Sequence, residues 1–154
     1  MSKRAEIAMT EEEAAAFLAE QRVVTCATLG RDGWPHLMPL WYVLRDGEPW
    51  AWTYAKSQKA RNLERDPRCT LQVETGDEYS ELRGVMLKAE CVLHRDVDSV
   101  ARIGAEIAAR YGGADLTPEV EVGMLRQAAK RVGMQFVVRE TASWDHRKLA
   151  AGVY

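Results

Sequence analysis

The sequence has no apolar run near the ~20 residues that span a bilayer, so no membrane partner is expected. Its first nine residues hold Lys3, Arg4 and Glu6 but no hydrophobic segment of the secretory kind, which points to the cytoplasm. An excess of one charge is lacking too. The 21 basic and 23 acidic residues leave a formal net charge of −2, with no general attraction to nucleic acid. Cysteine is scarce and odd in number: Cys26, Cys69 and Cys91 are too far apart for a C-x-x-C site. Each lies in an apolar, strand-like run, as expected of buried free thiols in a reducing compartment. His36, His94 and His146 are equally scattered, and neither H-E-x-x-H nor Cys/His pairs at zinc spacing occur, so no metal site is expected. G-x-x-x-x-G-K, G-x-G-x-x-G and G-x-S-x-G are absent, and no Cys/His/Asp set has supporting context. Any enzymatic chemistry must then be carried by a cofactor.

What is present reads as one domain covering residues 1–154. The chain is 47% hydrophobic and 29% charged, long enough for a real core and free of linkers, repeats or low-complexity stretches. Thr10-Glu11-Glu12-Glu13 is a capping box that opens a helix to about Gln21. Six extended runs follow: Val23 to Leu29, Pro35 to Arg45, Pro49 to Tyr54, Arg68 to Thr75, Leu82 to His94 and Val132 to Val138. Asp32-Gly33 and Asp46-Gly47 are hairpin turns between the first three. A short helix from Lys56 to Arg65 is stopped by Asp66-Pro67. Val97, Val100, Ile103, Ile107 and Tyr111 fall on one helical face ended by Gly112-Gly113, and Thr117-Pro118 starts another helix. Without βαβ alternation, the expectation is mainly β: an antiparallel barrel dressed with helices.

Three segments invite a functional reading. Thr53-Tyr54-Ala55-Lys56-Ser57-Gln58-Lys59-Ala60-Arg61-Asn62-Leu63 runs from a strand into a helix capped by Ser57. Cations at a helix start oppose the dipole by roughly 0.3–1 kcal/mol each, so Lys56, Lys59 and Arg61 there suggest a bound anion, with phosphate the natural candidate. A solvated basic face balanced by Glu64 and Asp66 is the plainer alternative. Trp34-Pro35-His36-Leu37-Met38-Pro39-Leu40-Trp41-Tyr42 has two prolines, which place it at an edge or bulge, beside aromatics that suit a flat ring system, with core or dimer-interface packing of Trp41 and Tyr42 the plainer alternative. His36 is a candidate donor to a substrate carbonyl. Ser143 to Leu149 offers Trp144 beside His146, Arg147 and Lys148, either as a ring cap with basic contacts or as a frayed tail.

The order Ala27-Thr28, Asp32-Gly33, Pro35-His36, Pro39, Trp41, Asp46-Gly47, Thr53, Ser57, Lys59, Asn62-Leu63 and Asp66-Pro67-Arg68 resembles the pyridoxamine phosphate oxidase-like proteins. Trp144-Asp145-His146-Arg147-Lys148-Leu149 is similar to the Trp-Asp-x-x-Lys-Leu ending of their deazaflavin branch. The resemblance implies a six-stranded antiparallel split β-barrel, a homodimer with cofactor sites at the interface, and a small-molecule substrate. It implies phosphate contacts from Thr53, Ser57 and Lys59, with Lys56, Arg61 and Asn62 beside them, and ring or tail contacts from Pro39, Trp41, Trp144 and Lys148. The chain departs from true oxidases: Met38 to Val43 carries no charge where they have R-x-V-L-L-K, Gln58 replaces an arginine, and the R-L-x-P ending is missing. Coenzyme F420, with one phosphodiester and a glutamate tail, fits what remains better than flavin mononucleotide (FMN). The implied activity is hydride transfer from reduced F420 to an unsaturated or quinone-like molecule. The alternatives are an FMN oxidoreductase, a non-catalytic cofactor carrier or a haem-binding relative.

Overall fold

The computed structural model describes residues 2–150. The local sequence signals act where they stand. Helix α1 (Lys3–Glu6) is a single turn; α2 (Glu11–Glu20) opens on the capping box, with Thr10 Oγ1 accepting from Glu13 N and Glu13 accepting from Thr10 N. Strands β1 (Val24–Leu29), β2 (Pro35–Leu40), β3 (Val43–Arg45) and β4 (Glu48–Tyr54) follow. Asp46 and Gly47 both adopt positive φ, +50° and +79°, in the tight β3–β4 turn. Helix α3 (Gln58–Arg65), strands β5 (Arg68–Thr75) and β6 (Arg83–His94), helices α4 (Val97–Gly112) and α5 (Pro118–Ala128), and strand β7 (Arg131–Asp145) complete the order.

All pairings are antiparallel, in the order β2-β1-β5-β6-β7-β4-β3. The two edges, β2 and β3, are joined through only Trp41 and Tyr42, so one end of each lies within about 11 Å of the other. The sheet must therefore roll, leaving a split between its edges. Alternate residues point inward (Val24 and Cys26, Leu71 and Val73, Val85 and Leu87, Met134 and Phe136) and form one core cluster. Phe17 and Leu18 of α2 join that cluster from the mouth where β1 begins, and Leu63 of α3 from the mouth where β1 ends. Outside the barrel, α4 lies on β4 and β7, with Ile103 and Ile107 against Trp50 and Trp52.

The sheet has seven strands, not six. The expected run Pro35 to Arg45 is broken at Trp41-Tyr42, because Tyr42 turns inward, where its hydroxyl donates to Leu18 O (2.6 Å). Residues 139–145 also extend β7 instead of fraying. A bulge between Lys88 and Ala89 of β6 leaves Arg139 unopposed and shifts the inward set from Phe136 and Val138 to Thr141, Ser143 and Asp145. That one-residue slip breaks the alternation and makes Val138 read as the strand's end.

Candidate cofactor site

At the end of β4 the chain turns sharply, with Ser57 N donating to Tyr54 O (3.0 Å). Ser57 is extended and caps α3, its Oγ accepting from Ala60 N (3.1 Å). The first-turn N–H groups of Gln58 and Lys59 have no helical acceptor, so the helix start carries partial positive charge. Lys56 and Arg61 are exposed there, and neither makes an ion pair among the described residues. Lys59 turns the other way. It is 5% exposed, lies under α3 in the barrel mouth, and donates to Thr53 Oγ1 (3.3 Å) with no carboxylate beside it. Burial pulls its ammonium below the ordinary lysine range, opposed by the nearby Cys26. Asn62 is fully buried and acts as a strut, donating to Thr28 Oγ1 (3.1 Å) and accepting from Gln58 Nε2 (2.8 Å). It pins α3 to β1.

Between α3 and the β1–β2 hairpin lies a groove of about 990 Å³, lined by Arg31, Trp34, His36, Gln58, Arg61 and Arg65 among others. Its two carboxylates are engaged: Asp32 accepts from Trp34 N (3.0 Å), and Glu64 pairs with Arg95 (2.5 Å). Arg65 is held by Leu29 O and Asn62 Oδ1, while Arg31 has no ion pair among the described residues. The groove is thus cationic, with the exposed indole of Trp34 in its lining. Among the described residues, His36 Nδ1 is the one buried side-chain nitrogen or oxygen without a hydrogen-bond partner. Leaving such an atom unpaired costs about 1–3 kcal/mol, so a ligand that bonds it recovers that cost.

The structure brings Thr53, Lys56, Ser57, Lys59, Arg61, Asn62 and His36 together at one mouth. It does not bring the other four predicted residues there. Pro39 pairs with Thr25 near the opposite mouth, and Trp41 stacks on Tyr111 (4.5 Å between centroids, 8° between planes). Trp144 pairs with Gly84 and lies flat on it: a Cβ there would come within 2.0 Å of the indole. From Val132, the partner of Thr53, to Trp144 is about 40 Å of strand within one chain. Lys148 is held by Glu13 (2.6 Å) and Ala8 O (2.9 Å). The other two histidines are also occupied, His94 by Gln135 (2.9 Å) and His146 by Tyr79 O (2.8 Å). Sequence reasoning missed Arg31 as a groove residue and Thr28 as the anchor of Asn62. Arg31 beside the Asp32-Gly33 turn was visible, but not that the hairpin faces α3.

The model of the pyridoxamine 5'-phosphate oxidase family matches residues 10–146. The chain belongs to that family. Within it, the chain is similar to the conserved hypothetical protein Rv2991 from Mycobacterium tuberculosis, with 42% identity over 99% of this chain and 98% of that one, and a TM-score of 0.88. It shares its fold with an F420 reductase (19% identity, TM-score 0.67, 86% of this chain and 98% of that one). It also shares it with HutZ, a haem storage protein from Vibrio cholerae (18%, 0.67, 86% and 94%). No curated protein matches the chain. The pyridoxamine phosphate oxidase-like fold, mainly β with helices, is thereby established for this sequence.

Proposed function

We propose that the chain is an F420-dependent reductase acting on an unsaturated or quinone-like small molecule. The observation that carries this reading is the charge distribution around α3. Free cations line a groove, Arg61 from α3 and Arg31 from the facing hairpin, with Lys56 exposed at the helix start, whereas strand β2 and the bend after it, Met38 to Val43, bring no charge at all. A single phosphodiester with an extended carboxylate tail suits a track of dispersed cations of this kind; a dianionic terminal phosphate calls for further cations, which the Met38 to Val43 segment does not bring. Reduced F420, when bound, supplies the hydride. The chain's own residues have three tasks. Ser57, the open N–H groups of α3 and its cations hold the phosphate. Trp34 and the apolar β2 edge shield one face of the ring from water. His36, with its unpartnered Nδ1, exchanges a proton or hydrogen bond with the substrate's polar end.

The shared site of a homodimer belongs to the same proposal. Strand β2 is an edge carrying exposed Leu37 and Met38, with Pro35 and Pro39 interrupting its donors. A second copy laid there would cover this strip and bring its own Trp41, Trp144 and Lys148 towards the groove. Arg61→Ala tests the phosphate track. It should weaken F420 binding by about 1.5–3 kcal/mol, as one lost charge-assisted contact does, with the circular dichroism spectrum unchanged. Unaltered affinity in a folded variant would remove α3 from the site. A haem reading has one observation behind it, the free His36 Nδ1 as the available axial ligand. A Soret band in the purified chain would decide for it.

A further inference from the structure

Beneath the anion track, inside the same mouth, lie all three thiols, buried and free in one core cluster. Register sets their geometry. On β1 Cys26 faces Leu71, and on β5 Cys69 faces Thr28, so the two side chains stand diagonally to each other on the inner face. The Cys69 thiol donates to Ala89 O (3.6 Å). Above Cys26 sits the Lys59 ammonium, desolvated and without a carboxylate. We propose that Cys26 and Cys69 are a redox-active dithiol that a hydroperoxide oxidises to a disulfide, with Lys59 as the charge partner that keeps Cys26 nucleophilic.

The environment divides the three thiols. The neighbouring Cys69 thiol, helped by the Lys59 charge, holds Cys26 below the usual thiol value against its burial. Cys69 is raised by the neighbouring Cys26 and by burial, and burial pushes Cys91 up to about 12. One thiolate beside one protonated thiol is the division that attack and resolution require. The titratable groups facing Cys26 are Lys59 from α3, Cys69 from β5, Cys91 from β6 and, diagonally across β1–β2, His36. A cleft of about 600 Å³ lined by Cys69, Thr28 and Ala89 reaches the pair from the Cys69 side, while Cys26 itself is fully buried.

The chemistry balances. The Cys26 thiolate attacks one peroxide oxygen, an S–O bond forms as the O–O bond breaks, and the leaving hydroxide takes a proton to become water. The Cys69 sulfur then attacks the Cys26 sulfur, the S–S bond forms, the S–O bond breaks, and the hydroxyl leaves as water with the Cys69 proton. Two thiols lose two electrons, and one hydrogen peroxide becomes two waters. Diagonal cross-strand positions, roughly 7–8 Å apart, lie at or just beyond the limit of disulfide geometry, so the bond requires β1 and β5 to move together and stays easily reduced.

The test does not depend on which cofactor binds. The full reduced chain is exposed to hydrogen peroxide, unfolded in an alkylating reagent, and mapped by mass spectrometry. The expected result is loss of two of the three thiols, a Cys26–Cys69 link, a mass lower by two hydrogens, and recovery with dithiothreitol. Lys59→Met should move the pH midpoint of disulfide formation up by about one unit, while Lys59→Arg keeps it near wild type. Three free thiols after treatment, a link through Cys91, or an unmoved midpoint in folded Lys59→Met overturns the proposal. Where Lys59→Met does not fold, the wild-type linkage decides alone.

Discussion

Lys59 is a buried cation held at the expense of the fold. Its folded pKa is depressed by burial from the ordinary 10.5. The unfolded chain therefore holds the extra proton between the folded value and about 10.5, and stability rises with pH across that window. Above about 10.5 the penalty is absent; below the folded value it is present in full. At neutral pH Lys59→Met, similar in length and uncharged, should raise the melting temperature by about 2–4 °C for each kcal/mol recovered. It should also weaken inorganic phosphate or F420 binding. Calorimetry with and without the anion checks both, and a lower melting temperature without ligand contradicts the buried, carboxylate-free placement. The sequence showed Lys59 as a cation at a helix start. It did not show which way the side chain turns, because that depends on Thr53 standing inward at the end of β4, a tertiary fact. Asn62 was likewise legible as a neighbour of the site but not as a strut, since its partner Thr28 is thirty-four residues away.

Elements were legible where a local rule fixes them. The Thr10 box, the Ser57 and Thr117 caps and the positive-φ ends at Gly47 and Gly113 all stand where the sequence placed them. The errors fall where a distant partner decides. Tyr42 splits one expected strand in two by reaching α2, and the Arg139 bulge hides the second half of β7. Helix α4 depends on a contact invisible in its own sequence. A Cβ at Gly104 would lie 2.4 Å from the Trp52 ring, whereas Gly123 in α5 has nothing within 4 Å. Alanine favours a helix at both positions, by about 1 kcal/mol. Gly104→Ala should nonetheless destabilise the chain by about 1–3 kcal/mol through overpacking, and Gly123→Ala should stabilise it by up to about 1 kcal/mol. Denaturant titration of the pair checks this. Equal effects would mean that α4 does not rest on Trp52 so closely.

At the scale of the whole molecule, the rolled sheet sets two groups of candidate residues at opposite mouths. Thr53, Ser57 and Lys59 lie at one; Trp41, Trp144 and Lys148 lie at the other. A site using both groups needs two chains, so light scattering at micromolar concentration should give about twice the 17.3 kDa chain mass. A strict monomer that still binds cofactor rules out the shared site. We propose that the cationic groove beside an uncharged β2 selects F420 over FMN. The most direct measurement is a titration of each cofactor, followed by ring fluorescence, at low and high salt. The expected result is tighter binding of F420, weakening as salt screens the exposed Arg31, Lys56 and Arg61 contacts over ~8–10 Å. Tight FMN binding with no detectable F420 binding would contradict it.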